Sequence, residues 1–427
     1  MSLSSIRESV AGSIGIIRRG WPLFLMAFLV DAAFLFIFLI ALQSYLPESL
    51  HASPAIAGWA LAAFGLAKLL TQIGSGFVTD RLGTRLALIA GTGLLLIADA
   101  SMLPLAHVAP WLIVGAAAVE GFGSSMTWPA VYAAGDARFE KGEKARFTAI
   151  LTLATGAALI AGLAGGTVIN AYASFNVAMI APIAAVGTAF ALALLLPHVR
   201  DEGWPQQSMP RPGEIRAVLG HPQRAAFAAV VLTEAAALGA LTAAFRAYGR
   251  DVLEVNLLHQ ALFLAPAAVL GGIMVVPGGA IADRLGVKRV MVPGFAVTGV
   301  CLLLLSRWTE PAFVIGVAAV AGAAFGMAVP TIAATMMSLA GSTDNRGGVI
   351  GWFMTMDGFG HAAGPALAGV LLAVLGARSV LVATGALFVA VAYIALTSRL
   401  GEKMHTEAAE SGIAVKTRPE SAVGGQS

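Results

Sequence analysis

The sequence predicts an all-α membrane protein with twelve transmembrane helices in two pseudo-symmetric halves of six. Of its 427 residues, 58% are hydrophobic and only 11% are charged, whereas charged residues make up about 25% of ordinary soluble domains. Apolar stretches of about 20 residues, the length that crosses about 30 Å of hydrocarbon, recur along the chain. In addition, one sequence pattern occurs twice, 203 residues apart.

The predicted spans are separated by short loops and fall into two groups of six. The first group covers residues 22–45, 55–79, 84–105, 109–134, 147–171 and 175–197. The second covers residues 225–248, 256–281, 287–306, 311–338, 348–371 and 376–398. This predicts an N-terminal tail (1–21), a first half (22–197), a polar linker (198–223), a second half (224–400) and a polar, disordered C-terminal tail (401–427).

Basic residues are concentrated on one side of the predicted spans. The tails and alternate loops hold most of the 26 Lys and Arg residues, among them Arg18, Arg19, Arg138 and Lys403. Because positive charge marks the cytoplasmic side, both termini, the linker and these loops are predicted to be cytoplasmic. We therefore expect a multi-pass protein of the cell inner membrane or plasma membrane, whose basic residues direct topology and bind no nucleic acid.

The repeated pattern lies in the loop after the second span of each half. The first half contains "GSGFVTDRLGTR" and the second half contains "GGAIADRLGVKR". Asp80 in the first stretch corresponds to Asp283 in the second, and Gly83 corresponds to Gly286. The same offset carries Asp31, in the first span, onto Glu234 in the seventh. An intramembrane carboxylate costs about 2.5 to 3.5 kcal/mol to insert. Its recurrence at equivalent places in both halves therefore indicates a function.

These loops resemble the signature G-x-x-x-D-R-x-G-R/K of the major facilitator superfamily, and the resemblance covers roughly residues 20 to 400. It implies two parallel six-helix halves that expose a midplane site to alternate sides of the membrane. It also implies a cytoplasmic gate formed by the signature residues of both loops and by an acidic partner after the fourth span. These residues are Gly76, Asp80, Arg81, Gly83, Arg85, Asp136, Asp283, Arg284 and Gly286.

Four intramembrane carboxylates, Asp31, Glu120, Glu234 and Asp357, are predicted near the midplane. In the family that the chain resembles, the first, fourth and seventh spans line the central cavity, so Asp31, Glu120 and Glu234 should converge there. Gly121 and Gly123 should allow another helix to approach Glu120 closely, and Trp128 could stack on a ligand. Because burial disfavours the charged form of a carboxylate, such groups can exchange protons near neutral pH. We expect the three cavity carboxylates to couple proton movement to transport.

Other charges inside the spans are predicted to have structural roles. Lys68 and Asp357 lie at similar depth in the second and eleventh spans, which pack together in the family, so they are expected to form an interhelix pair. His361 shares the helix face of Asp357, four residues later. Arg246, at the outer end of the seventh span, is expected to extend its guanidinium towards the surface.

These features predict a monomeric, proton-coupled secondary transporter rather than an enzyme, with no cofactor or metal. Because acidic groups dominate the predicted cavity, a small cationic or zwitterionic lipophile is the expected substrate, and export by antiport the expected direction. A proton-coupled importer and a spinster-like lipid carrier remain alternatives, as does a transport-inactive receptor or assembly subunit. Measurable substrate flux would separate a carrier from the last of these.

Overall fold

The computed structural model describes residues 3–53, 55–140, 143–196, 222–341, 346–398 and 400, and within some helices it describes the backbone alone. In these residues it contains twelve helical rods, as predicted. The first half comprises α1 (Leu3–Leu35, Phe36–Ala41 and Leu42–Glu48), α2 (Ala55–Leu82), α3 (Thr84–Val108), α4 (Leu112–Arg138), α5 (Lys144–Ile160, Ala161–Gly165 and Gly166–Tyr172) and α6 (Phe175–Leu195). The second half comprises α7 (Pro222–Asp251), α8 (Leu257–Leu285), α9 (Val287–Leu305), α10 (Pro311–Gly341), α11 (Arg346–Leu375) and α12 (Ala377–Thr397).

Ten of these rods contain a described stretch that is long and apolar enough to cross a membrane. The other two are α2, in which Ala55–Thr71 forms a shorter apolar helix, and α4, whose apolar character is diluted by Glu120 and several small polar residues. The chain is therefore a multi-pass membrane protein. The first helix is longer than predicted, because it begins at Leu3 and includes most of the segment that we expected to be a tail. The expected linker and C-terminal tail lie almost wholly outside the described residues.

The turns between paired helices follow the repeat. Gly83 lies between α2 and α3 with φ of 79°, and Gly286 lies between α8 and α9 with φ of 92°. L-residues with a side chain rarely adopt this left-handed region, so glycine permits the abrupt reversal in both halves. The two glycines that the sequence places at equivalent positions thus make equivalent turns.

Two rods contain π-helical turns, and these turns face each other. They comprise Phe36–Ala41 in α1 and Ala161–Gly165 in α5. Gly162 and Gly166 allow the contact, because an added Cβ at Gly162 would lie 2.8 Å from the Ala32 carbonyl oxygen and one at Gly166 would lie 2.3 Å from the Phe36 ring. Such turns inside α-helices often occur at functional sites.

The two halves are joined mainly by the contact between α2 and α11. In addition, α7 contacts α1 and α2, and the last turns of α5 contact α8. Glycines bring α2 and α11 into backbone contact: an added Cβ at Gly58 would lie 3.0 Å from the Pro365 carbonyl oxygen, and one at Gly65 would lie 2.8 Å from the His361 carbonyl oxygen. This seam extends from the predicted outer end of α2 to mid-depth. It places Lys68 of α2 beside the acidic and basic residues of α11.

Candidate functional site

A chain of charged side chains crosses the boundary between the halves at mid-depth. Asp31 of α1 interacts electrostatically with Lys68 of α2. Lys68 in turn interacts with Asp357 of α11, and Asp357 interacts with Glu234 of α7. The repeat-related carboxylates Asp31 and Glu234 thus lie at opposite ends of one electrostatic network.

His361 is the ion-pair partner of Asp357. Its Nδ1 lies 3.5 Å from the Asp357 Oδ2 and 3.1 Å from the Asp357 carbonyl oxygen. The expected direct pair between Lys68 and Asp357 is not formed among the described residues; Lys68 acts on Asp357 over a longer distance and lies 5.9 Å from the centre of the Phe64 ring. Because His361 follows Asp357 by one helical turn, the local pair forms without any requirement on the position of the opposite half.

The network combines open and enclosed positions. The side chains of Asp357 and His361 are 43% and 45% exposed, and both interact electrostatically with Lys68 and Glu234. Glu234 is buried. The Asp357–His361 pair is therefore more accessible than Glu234.

Glu120 does not converge on this network. It is 3% exposed and buried between α3 and α4, and its electrostatic neighbour is Asp99 of α3. Gly121 and Gly123 do allow close approach, as expected: a Cβ on Gly121 would lie 2.2 Å from the Phe64 carbonyl oxygen of α2. That close packing encloses Glu120 instead of exposing it to the cavity.

Trp128 packs in the apolar cluster of the first half, with its ring centre 6.3 Å from that of Tyr132. Tyr132 interacts electrostatically with Asp31. Tyr132 therefore lies between Trp128 and Asp31, the first member of the charged network.

The predicted outer face is closed by polar contacts between α1 and α7. Gln43 of α1 donates from Nε2 to the carbonyl oxygens of Phe38, at 2.8 Å, and of Thr242 in α7, at 2.6 Å. Its Oε1 accepts from the backbone N–H of Arg246 at 2.9 Å. Gln43 and Arg246 are 203 residues apart and therefore equivalent in the repeat. The two halves meet at their symmetry-related positions.

Arg246 reinforces this closure, and the expectation that it extends towards the surface is wrong. Its buried guanidinium donates to the Glu48 Oε1 from Nε at 3.1 Å and from Nη2 at 2.8 Å. It also donates from Nη1 to the Val255 carbonyl oxygen at 3.1 Å and to the Gln260 Oε1 at 3.3 Å. Arg246 is held inside by acceptors from α1, α8 and the segment between α7 and α8. We call Gln43, Glu48, Arg246 and Gln260 the outer latch.

Basic residues of the two signature loops anchor helix ends within each half. Arg85 donates from Nη2 to the Leu194 carbonyl oxygen at the end of α6, at 2.8 Å. Its repeat equivalent, Lys288, donates from Nζ to the Ser398 carbonyl oxygen just after α12, at 2.7 Å. A cation at a helix C-terminus stabilises its exposed carbonyl groups and its dipole. Arg284 is exposed.

The remaining predicted gate residues lie in helices whose backbone alone is described there. The positions concerned are Gly76, Asp80, Arg81, Asp136 and Asp283, and the side-chain contacts expected of them lie outside the described residues. The gate predicted from the signature therefore stays a prediction.

Sequence reasoning missed Asp99 and Gln43 altogether. Asp99 is a single acid in an apolar span with no acidic counterpart in the other half, and Gln43 carries no charge that would mark it. The repeat contained a signal for Gln43, because applying the 203-residue offset to Arg246 leads to it. Among the described residues, no three His, Cys, Asp or Glu side chains come together as a metal site requires.

Comparison with known proteins gives a consistent assignment of fold. The family model described as Major Facilitator Superfamily matches residues 23–286 and 268–421. No curated protein sequence matches the chain.

Solved structures share the architecture at low sequence identity. A crystallised variant of the nucleoside transporter NupG superposes with a TM-score of 0.73 at 16% identity, covering 88% of this chain and 98% of that one. A POT family transporter in complex with a thioalcohol-conjugated peptide gives 0.70 at 12% identity, covering 89% and 95%. A POT family transporter in complex with 5-aminolevulinic acid gives 0.72 at 12% identity, with the same coverage.

Proposed function

The chain belongs to the Major Facilitator Superfamily, and we propose that it is a proton-coupled secondary transporter that exports a small cationic or zwitterionic organic compound across the cell inner or plasma membrane. Transport proceeds by alternating access of the two halves about the mid-depth charged network. The single observation that carries this proposal is the network itself, which links Asp31 in one half through Lys68 and Asp357 to Glu234 in the other.

The network suits proton coupling because its members sit on both sides of a moving boundary. When the halves rock, the electrostatic contact between Lys68 and the residues of α11 must lengthen or shorten. A carboxylate that loses a nearby cation in a low-dielectric region is favoured to take up a proton instead. The position of the halves and the protonation of Asp31 and Glu234 are thereby coupled.

The charge balance of the network supports a cationic or zwitterionic substrate. The network contains three carboxyl groups, those of Asp31, Glu234 and Asp357, and two basic side chains, those of Lys68 and His361. Acidic groups in a cavity raise the local concentration of positive solutes and repel multivalent anions. Two of the similar structures hold a peptide conjugate and an amino acid, so this fold accommodates small organic molecules of that size. An importer of the same substrates would use the same carboxylates.

The outer latch supports alternating access with the predicted outer face closed. It lies at the ends of α1 and α7, whereas the charged network lies deeper along α2, α7 and α11. With both termini cytoplasmic, as the basic loops predict, a substrate would reach the network from the cytoplasm, as export requires.

Transport by the reconstituted full-length protein under an imposed pH gradient tests the proposal. A panel of amphiphilic cations, zwitterions, lipids and sugars should identify solutes that accumulate only with the gradient. The variant Asp31→Asn should abolish uphill accumulation while sparing substrate binding, and Glu234→Gln should do the same or shift the pH optimum. Asp251→Asn is the matched control, because Asp251 pairs with its neighbour Arg250 at the outer end of α7, away from the network.

Two results would contradict the proposal. If Asp31→Asn carriers still concentrate substrate with unchanged pH dependence, Asp31 has a structural role only. If no solute of the panel moves in the wild-type protein while a panel member still binds, the transport-inactive receptor becomes the better description.

A further inference from the structure

We propose that Asp99 and Glu120 form a proton-binding site between α3 and α4, in which the two carboxyl groups share one proton. This site is separate from the mid-depth charged network and does not depend on the transport function proposed above.

Helix packing brings the two carboxyl groups together. A Cβ on Gly91 of α3 would lie 2.9 Å from the Gly123 carbonyl oxygen of α4, and a Cβ on Gly123 would lie 2.9 Å from the Leu95 backbone nitrogen. The backbones of the two helices are therefore in contact. In an antiparallel pair, one turn beyond Leu95 on α3 reaches Asp99, and one turn before Gly123 on α4 reaches Glu120.

The two side chains are enclosed and unpartnered. Asp99 is 1% exposed and Glu120 is 3% exposed. The Asp99 Oδ1 and the Glu120 Oε2 are buried without a hydrogen-bond partner, and the two residues interact electrostatically with each other. Each of these two carboxyl oxygens lacks a hydrogen-bond donor, and a proton on one carboxyl group would supply a donor to the other.

Two negative charges could not remain at this place in the described conformation. Each would have lost its hydration, and like charges in a low-dielectric region repel strongly. Repulsion would act where the α3 and α4 backbones are already in contact and cannot adjust independently. One shared proton removes the repulsion and provides a hydrogen bond between the carboxyl groups, as in other carboxylate pairs.

The second half shows that helix packing does not require these acids. The contact of Gly91 with Gly123 recurs there, because a Cβ on Gly294 of α9 would lie 2.9 Å from the Ala324 carbonyl oxygen of α10. Asp99 corresponds to Leu302, 203 residues later. Glu120 corresponds to Ala321, 201 residues later, because the chain between these two positions is two residues shorter in the second half. Both Leu302 and Ala321 are buried. An apolar pair packs the same helices, so the acidic pair serves another purpose.

The neighbouring helices do not provide a permanent partner for the pair. Of the other helices of the first half, α1, α2 and α5 contact α4, and α2 and α6 contact α3. Apart from the pair, the titratable groups described within the membrane-spanning parts of these helices are Asp31, Tyr45, Lys68, His107, Tyr132 and Tyr172, of which Tyr172 is 82% exposed at the end of α5. Lys68 and Tyr132 interact with Asp31, whereas Tyr45 and His107 contact each other, with 3.4 Å between the Tyr45 hydroxyl oxygen and the His107 Nε2. α6 carries no titratable side chain.

Infrared spectroscopy of the full-length protein in lipid bilayers tests the proposal, with the spectrum of each variant subtracted from that of the wild-type protein. Wild-type protein at pH 7 should show the carbonyl stretch of a protonated, buried carboxyl group, although free Asp and Glu side chains ionise near pH 4. Asp99→Asn and Glu120→Gln should each shift this band, because the remaining carboxyl group keeps its proton but exchanges its partner for an amide. The double variant should lose the part of the band that belongs to this pair and keep only what Asp31 and Glu234 contribute. Asp251→Asn is the control, because Asp251 is paired with its neighbour Arg250 and is 42% exposed.

Three outcomes would overturn the proposal. The first is that wild-type protein shows no protonated buried carboxyl group at pH 7, a result that needs no variant to fold. The second is that the double variant retains the full wild-type band, which would assign it to another acid such as Asp31 or Glu234. The third is that replacing choline chloride with sodium chloride abolishes the band at constant pH, which would identify a sodium site. None of these outcomes would affect the transport assays on Asp31, so the two proposals fail independently.

Discussion

Replacing Arg246 with Met is expected to open the predicted outer face. The guanidinium of Arg246 is the hub of the outer latch, with donors to Glu48, Val255 and Gln260. Methionine fills a similar volume but donates nothing. The change therefore removes the interactions that hold α1 and α8 to α7 while it leaves the apolar packing of the helix largely intact.

The size of the effect follows from burial. Breaking a fully buried ion pair costs about 3 to 5 kcal/mol, and a single hydrogen bond to a charged group contributes about 1.5 to 3 kcal/mol. Arg246 is buried, but Glu48 is 41% exposed and can be hydrated once it is released. We therefore expect the closed state to lose about 2 to 3 kcal/mol relative to the outer-open state. Since each 1.4 kcal/mol is a factor of ten, the equilibrium shifts about 30- to 140-fold.

Pulsed electron paramagnetic resonance can measure this shift. Spin labels would be placed by Val108→Cys, at the end of α3, and Glu310→Cys, just before α10, because both positions are exposed on the predicted outer face of opposite halves. The chain's single cysteine would be removed by Cys301→Ser. Arg246→Met should add a longer-distance population that is minor or absent in the otherwise unchanged labelled protein.

Arg250→Met is the matched control for this experiment. Arg250 lies one turn further along α7, but its direct ion pair is with the adjacent residue Asp251, and it interacts with Glu48 only over a longer distance. Its loss should leave the distance distribution unchanged. Identical distributions for Arg246→Met and the parent protein would refute the argument that these contacts hold the outer face closed.

Two further substitutions test the seam between the halves. Lys68→Met should lower the thermal stability of the solubilised protein more than Asp357→Asn, because it takes the cation from both Asp31 and Asp357; the opposite order would show that the network does not depend on Lys68. Gly65→Ala should lower the melting temperature and slow transport, because its methyl group would meet the backbone of α11 at 2.8 Å. Gly272→Ala, which meets nothing within 4 Å, should leave both unchanged or raise stability slightly; equal effects of the two alanines would contradict the close contact.

The repeat made the helical framework predictable. The membrane thickness sets the length of each span, so the spans can be recognised as apolar stretches of about 20 residues. The turns at Gly83 and Gly286 require a backbone conformation that favours glycine, so they can be recognised from the glycines in the repeated loops. The start of α1 was misjudged for a related reason. Its first residues are too polar to span a membrane, yet nothing in them stops a helix that continues outwards from one.

The partners of the charged residues were less predictable, because a one-dimensional pattern carries no information on facing helices. Glu120 was expected in the cavity on the basis of its helix alone, whereas the glycines beside it close that face against α2 and α3. Arg246 was expected at the surface because its side chain is long enough to reach it. Its buried position depends on Glu48 and Gln260, which come from a helix end and a separate helix and share no motif with it.

The outer latch and the charged network together constrain how the protein can move. Both use positions related by the repeat: Gln43 with Arg246 in the latch, and Asp31 with Glu234 in the network. When the halves rock about the mid-depth site, residues near that site change their mutual distance least. We therefore expect opening at the outer face to break the Gln43–Arg246 contact, while Asp31 and Glu234, deeper on the same helices, change their separation less and exchange neighbours. Lys68 and His361, which the repeat does not relate, are the neighbours whose positions change.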